Sequence, residues 1–336
     1  MDIDEFVALS VKHNASDLHI CAGHQPMLRI DGELRPAEGA ENLTPERMLA
    51  LCDALLTPAQ RRELQRQGQT DLALQRPGGV RLRVNAFLQN RGISLALRRI
   101  AGDCPTLAAL ATPAIVPALL RREDGLLLVT GATGSGKSTT LAAMIDEINR
   151  HQRRHILTLE DPIEFIHHSR RSLIQQREIG RDSHSFDGAL RAALREDPDV
   201  ILLGELRDTA TIRLALTAAE TGHLVLATLH TRSAPQAIER LVDVFPAEDK
   251  PYVRAQLAGS LQAVIAQRLM GRPGGGRLAI FEVLTATAAV SSMIREGKTH
   301  QLASVLQTGG QSGMQTFEQG LQQRIDAGLL GREGGD

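Results

Sequence analysis

Gly131-Ala-Thr-Gly-Ser-Gly-Lys137-Ser138 leads a spaced set of glycines up to a lysine and a hydroxyl. Glycines let a backbone curl so that successive N–H groups converge on one point, which suits phosphate oxygens. The pattern Gly-x-x-x-x-Gly-Lys-Ser is that of a phosphate-binding loop. In such a loop the lysine neutralises the β- and γ-phosphates and the hydroxyl ligates Mg²⁺. An apolar run at 125–130 precedes it and a helical stretch at 139–148 follows, so the strand–loop–helix context is present. Gly131, Thr133, Gly134, Ser135, Gly136, Lys137, Ser138 and Thr139 are therefore expected to hold ATP, with Ser138 on the metal.

Three further segments end apolar runs in groups that can act on a phosphate. Leu157-Thr-Leu-Glu160-Asp161-Pro-Ile-Glu164 finishes a strand in carboxylates, where an open α/β sheet binds ligands. Glu160, Asp161 and Glu164 could hold Mg²⁺ through water or orient the attacking water. The alternative is a solvated strand end before an Asp-Pro turn. Asp197-Pro-Asp-Val-Ile-Leu-Leu-Gly204-Glu205 is a second strand ending in an acid, with glycine where a metal-binding aspartate commonly stands. Glu205 is the natural general base, and Mg²⁺ ligation then shifts toward Ser138, phosphate and water. His223 and His230 bracket a strand and fall at its opposite ends, so they cannot share one metal. His230, at the carboxyl end, is placed to sense a γ-phosphate. Arg81 and Arg83 lie on one face of a strand and Arg98 follows on the next. They are either a solvated sheet face or arginines delivered to the γ-phosphate.

Two domains are needed to position these groups. Residues 1–100 read as a small α+β unit, with an apolar helix at Phe6, Val7, Leu9 and Val11 and a strand at 17–20. Asp31-Gly32 marks a hairpin turn within 26–34. Thr44-Pro45 and Thr57-Pro58 each set a capping residue before a proline at the first helical position. Strands are expected at 71–74, 80–87 and 93–100, with Pro77-Gly-Gly79 turning between the first two. Residues 101–116, with Gly102, Pro105 and Pro113, read as a linker. From 117 to 336 short apolar runs at 126–130, 155–159, 200–203 and 224–228 alternate with helical patterns such as 211–221. That is the mark of a parallel α/β sheet whose strands are buried on both faces. The region after Val283 reads as a helical tail, with 331–336 as a frayed end.

Composition excludes some classes. The chain has 38 basic and 39 acidic side chains, without the basic excess of a nucleic-acid binder. Lysine is confined to Lys12, Lys137, Lys250 and Lys298. Cys21, Cys52 and Cys104 are too scattered for a disulfide framework or a paired zinc site. There is no signal-peptide layout and no apolar run near the roughly 20 residues that span a bilayer. A soluble, intracellular protein is expected.

Together these blocks resemble the secretion ATPases, and specifically the PilT family of type IV pilus retraction ATPases. Ala15-Ser-Asp-Leu-His19 resembles the family's entry motif, and the strand Arg81-Leu-Arg-Val-Asn-Ala-Phe-Leu-Gln-Asn-Arg91 its inter-domain arginine strand. Leu159-Glu-Asp-Pro-Ile-Glu164 resembles its Asp box, 193–205 its atypical Walker B strand and 217–231 its His box. The resemblance implies a RecA-like P-loop ATPase domain, a PAS-like N-terminal domain and C-terminal helices. It also implies a cytoplasmic homohexamer, peripheral to the inner membrane, that acts on a platform protein at the pilus base with ATP and Mg²⁺. The absence of a four-cysteine zinc element favours the retraction branch. One stretch departs: Ala289-Val-Ser-Ser-Met-Ile-Arg-Glu296 has Ser291 and Ser292 where the retraction motif has arginine and asparagine, and keeps Ile294-Arg-Glu296. An accessory subunit, or a type II or type IV secretion or DNA-uptake motor, is therefore an alternative expectation.

Overall fold

Threonine, proline and glycine signals in the sequence coincide with element ends in the structure, a computed structural model in which residues 2–30, 32–100, 104–272 and 276–331 are described. Thr44 and Thr57 cap helices Pro45–Leu55 and Pro58–Gln67, each accepting from an N–H three residues on. Asp2 opens helix Ile3–Lys12 with a reciprocal capping box to Glu5. Asp31 of the expected hairpin turn, residues 101–103 of the expected linker and residues 332–336 of the expected frayed end lie outside the described residues.

The chain divides into two units, Met1–Asp103 and Cys104–Asp336. The first contains an antiparallel sheet of β1 (Asp17–Cys21), β2 (Met27–Ile30), β3 (Glu33–Pro36), β4 (Gln69–Arg76), β5 (Val80–Gln89) and β6 (Gly92–Ile100), in the order β3-β2-β1-β6-β5-β4. Along β5, buried Leu82, Val84 and Ala86 alternate with more exposed residues, so one face is apolar. That face joins Phe6, Leu18, Met48 and Leu97 in one core.

The second unit is built on seven strands: β7 (Gly125–Thr130), β8 (His155–Glu160), β9 (Leu173–Glu178), β10 (Val200–Leu203), β11 (Leu224–Leu229), β12 (Leu261–Gly271) and β13 (Arg277–Thr285). Their order is β13-β12-β7-β11-β10-β8-β9, parallel throughout except for β13, which runs against β12. β7, β10 and β11 are buried at every residue. Helix Lys137–His151 contributes Leu141, Met144, Ile145 and Ile148 to the core on one face. Helices Phe186–Ala193, Thr209–Glu220, Ala234–Asp243 and Lys250–Ser260 contribute to the core on the other. Each Leu, Ile or Val so enclosed adds about 1.5–3 kcal/mol, which makes this sheet a rigid base for whatever its strand ends carry.

Two features differ from the sequence reading. Residues 104–116 of the expected linker 101–116 belong to the second unit, and Leu107 and Val116 are buried in its core. The strands β9, β12 and β13 have no counterpart among the strands expected from the sequence. For the last two, a signal existed: the apolar runs 261–271 and 277–285 flank Arg272-Pro-Gly-Gly-Gly276. Beyond Thr285, helices Ala288–Arg295, Leu302–Thr308 and Phe317–Asp326 follow, and Ile294, Leu302 and Leu306 pack into the main core. Among the described residues no helix is long and apolar enough to cross a membrane.

Candidate active site

Because β7, β11, β10 and β8 are adjacent and parallel, their carboxyl ends open on one edge of the sheet. The phosphate loop leaves β7, His230 follows β11, Gly204-Glu205 follows β10, and Glu160 ends β8. With neighbouring strands about 4.8 Å apart, groups distant in sequence become neighbours.

The centre of this edge is a line of polar contacts. Lys137, only 8% exposed, donates from Nζ to the carbonyls of Gly131 at 2.8 Å and Ala132 at 3.0 Å. The same nitrogen is 3.3 Å from Nδ1 of His230. Nε2 of His230 is 3.1 Å from Oε1 of Glu205, whose Oε2 pairs with Nε of Arg207 at 2.7 Å. An ammonium only donates, so the Nδ1 facing it carries the lone pair, and the proton on Nε2 is given to Glu205. The imidazole thus links the lysine to the carboxylate. Burial lowers the pKa of Lys137, opposed by the charges of Glu205 and Glu164. An ammonium short of solvation gains most from an anion placed beside it.

The loop is open to such an anion. Helix Lys137–His151 begins after Gly136 with no side-chain cap and no acidic residue in its first turn. Its first N–H groups and the positive end of its dipole are left for a ligand. The Ser135 hydroxyl is buried without a hydrogen-bond partner. Thr133 and Gly134 are exposed at the loop tip, and Ser138 and Thr139 are half-buried on the first helical turn. Orphaned donors, an uncapped helix and an under-solvated lysine all fit a nucleotide phosphate chain.

Among the described residues no group of three or more His, Cys, Asp or Glu side chains is arranged to hold a metal. A Mg²⁺ at this loop would depend on Ser138, phosphate and water. Glu160 is turned back into the fold: Oε1 accepts from Thr158 Oγ1 at 2.6 Å and from Gln176 Nε2 at 3.1 Å. Burial raises its pKa, and these hydrogen bonds only partly offset that. Asp161 is exposed, whereas Glu164 is half-buried and its charge reaches Lys137.

The arginines lie in the first unit. Arg81 and Arg83 alternate with buried Leu82 and Val84 on β5, and Arg83 faces Arg98 across the β5–β6 register. Arg98 is committed to Asp17 at 2.8 Å. Burial pushes the Asp17 carboxyl up, but hydrogen bonds from Ser16 and Arg98 outweigh it and hold the pKa below the usual value.

Sequence reasoning missed the groups that fasten this edge. Thr130 Oγ1, fully buried, donates to the Thr231 carbonyl at 2.6 Å and accepts from its N–H at 3.1 Å, tying the end of β7 to the residue after His230. Arg207 beside Glu205 had a signal in its adjacency to the acid. Gln267, beneath the loop, had none.

The sequence and the fold are similar to those of known proteins. The profile described as Type II/IV secretion system protein matches residues 1–330. The chain is 58% identical over 330 residues to the Escherichia coli (strain K12) "uncharacterized protein YggR", covering 98% of this chain and 100% of that one. It is 50% identical over 336 residues to the Pseudomonas aeruginosa "type IV pilus retractation ATPase PilT", covering 99% and 96% respectively. A crystal structure described as the pilus retraction motor PilT with bound ADP superimposes with a TM-score of 0.92 at 43% identity, over 99% of this chain and 95% of that one. The chain belongs to the Type II/IV secretion system protein family.

Proposed function

We propose that this chain is a Mg²⁺-dependent ATPase motor that powers type IV pilus retraction. The observation that carries this is the Lys137–His230–Glu205 line beside an open phosphate loop, in a chain alike over its full length to a pilus retraction ATPase. In this reading the second unit is RecA-like and the first PAS-like. The motor works as a cytoplasmic homohexamer, peripheral to the inner membrane and in contact with a platform protein.

The residues divide the work. Backbone N–H groups of Gly131, Thr133, Gly134 and Gly136, and that of Ser135 once it leaves the Ala132 carbonyl, bind phosphate oxygens, and those of Lys137, Ser138 and Thr139 add the helix N-terminus. Lys137 exchanges its loop carbonyls for phosphate. Glu205 accepts the proton of the attacking water, and His230 holds that carboxylate in place while its other nitrogen faces Lys137. Glu164, and Glu160 and Asp161 through water, orient water or metal. Mg²⁺, held by Ser138 and through water by Glu160 and Asp161, would supply neutralisation of phosphate charge. Arg81, Arg83 and Arg98 are proposed to contribute positive charge to turnover, Arg98 only after leaving Asp17.

Purified protein is expected to release phosphate from MgATP. Glu205→Gln should bind ATP yet turn it over about 100-fold or more slowly; turnover within about tenfold of wild type would remove Glu205 as the base. A second reading, an accessory subunit of another motor, is favoured by one observation. Ser291 and Ser292 stand half-buried on helix Ala288–Arg295, with Ser292 bonded to Glu296 at 2.9 Å. Restored retraction by this chain alone in cells lacking their motor would exclude it.

A further inference from the structure

In the β7–β12 register Ala266 lies beside Thr130, so Gln267 falls where Gly131 begins the phosphate loop. Its side chain is 2% exposed and both ends of its amide are engaged. Nε2 donates to the Ser135 carbonyl at 2.8 Å, and Oε1 accepts from the Thr140 hydroxyl at 2.6 Å. Thr140 is itself fully buried, in the first turn of helix Lys137–His151. One side chain thus joins the sheet, the loop and the helix. An apolar residue of the same length would fill this space without a buried amide to satisfy. The two hydrogen bonds, rather than packing, explain a glutamine here.

The consequence for the loop follows from peptide planarity. In a trans peptide the C=O and the following N–H point in opposite directions. With the Ser135 carbonyl drawn onto Gln267, the Gly136 N–H is turned to the other side, away from the sheet. Gly136 takes φ +88°, and a Cβ there would stand 2.8 Å from Gln267 Nε2. The Gln267 carbonyl oxygen would be 2.4 Å from a Cβ on Gly131. The glutamine and the two glycines are fitted to one another.

We infer that Gln267 is a positioning residue that presents the Ser135–Gly136 peptide to the nucleotide phosphates, and so sets nucleotide affinity without touching the nucleotide. This rests on the ATPase reading proposed for the loop. Lys137, His230 and Glu205 are not bonded to Gln267, so binding should suffer more than chemistry.

The experiment measures MgADP and MgATP affinity, KM, kcat and the nucleotide-free melting temperature in wild type, Gln267→Met, Thr140→Val and the double variant. In Gln267→Met, affinity should fall and KM rise about tenfold or more, with kcat at saturating ATP within about threefold. Thr140→Val, which frees the anchored end only, should weaken affinity about threefold and add nothing in the double variant. If Gln267→Met does not fold, Thr140→Val carries the same KM-against-kcat split. Affinity within about twofold of wild type in a folded Gln267→Met, an equal loss of kcat, or additive effects in the double variant would each overturn the inference. Wild-type protein that binds no MgATP would instead remove the ATPase reading, and the inference with it.

Discussion

Replacing His230 by alanine tests whether the line from Lys137 to Glu205 is a catalytic device or a surface contact. The imidazole is about half exposed, its side chain at 46%, so little packing is lost and stability should stay within about 0.5 kcal/mol of wild type. Two bonds to charged partners disappear, at 3.3 Å to Lys137 and 3.1 Å to Glu205. A hydrogen bond to a charged group is worth about 1.5–3 kcal/mol. Lys137 keeps its loop carbonyls at 2.8 and 3.0 Å, so the loss falls mainly on Glu205. Arg207 still holds Oε2, but the carboxylate can then swing about that single contact. One such bond predicts a fall in kcat of about 10- to 150-fold. ADP affinity should change by no more than about threefold, since water replaces the imidazole at the lysine. The assay is phosphate release at saturating MgATP together with direct ADP binding. If His230 acts through Glu205, the variant carrying both His230→Ala and Glu205→Gln should be about as slow as Glu205→Gln alone. A kcat within about threefold of wild type, or fully additive losses in the double variant, would refute the reasoning.

Other outcomes follow from the same contacts. Gly131→Ala places a Cβ 2.4 Å from the backbone oxygen of Gln267, whereas Gly134→Ala, at φ +77°, meets nothing within 4 Å. Urea unfolding should therefore show a much larger loss for Gly131→Ala, with Gly134→Ala limited to the left-handed backbone cost of about 1–2 kcal/mol. Burial raises the Glu160 pKa, so the native state holds this proton more tightly than the unfolded chain does. Its contribution to stability is present at low pH and is lost as pH rises from the ordinary carboxylate value through the raised one. Glu160→Gln should accordingly melt higher than wild type at pH 8, with the difference vanishing in acid, while turnover falls; equal melting curves across pH would contradict this. Burial pushes the Cys52 and Cys104 thiols up to about 11, so an Ellman assay at pH 8 should find both slow until the protein is denatured.

Features that depend on a residue and its near neighbours were legible in the sequence. The loop at 131–138, the threonine–proline helix starts and the strand ends at Glu160, Glu205 and His230 are local signals. They are governed by glycine φ, by capping and by apolar runs whose length and period act over a few residues. Strands β12 and β13 are not legible in the sequence, although Pro-Gly-Gly residues separate their apolar runs, since such runs suit a buried strand and a buried helix alike. Tertiary structure alone decided the rest. An apolar run shows that a strand is buried but not which strand lies beside it, and the order β7-β11-β10-β8 is what brings Lys137, His230 and Glu205 into one line. Long-range pairing likewise set Gln176 against Glu160, committed Arg98 to Asp17, and set Gln267 beneath a loop 132 residues earlier in the chain. Sequence carries the chemistry of each group, because that chemistry belongs to the side chain. The neighbours that tune it are chosen by packing across the sheet, which no local pattern encodes.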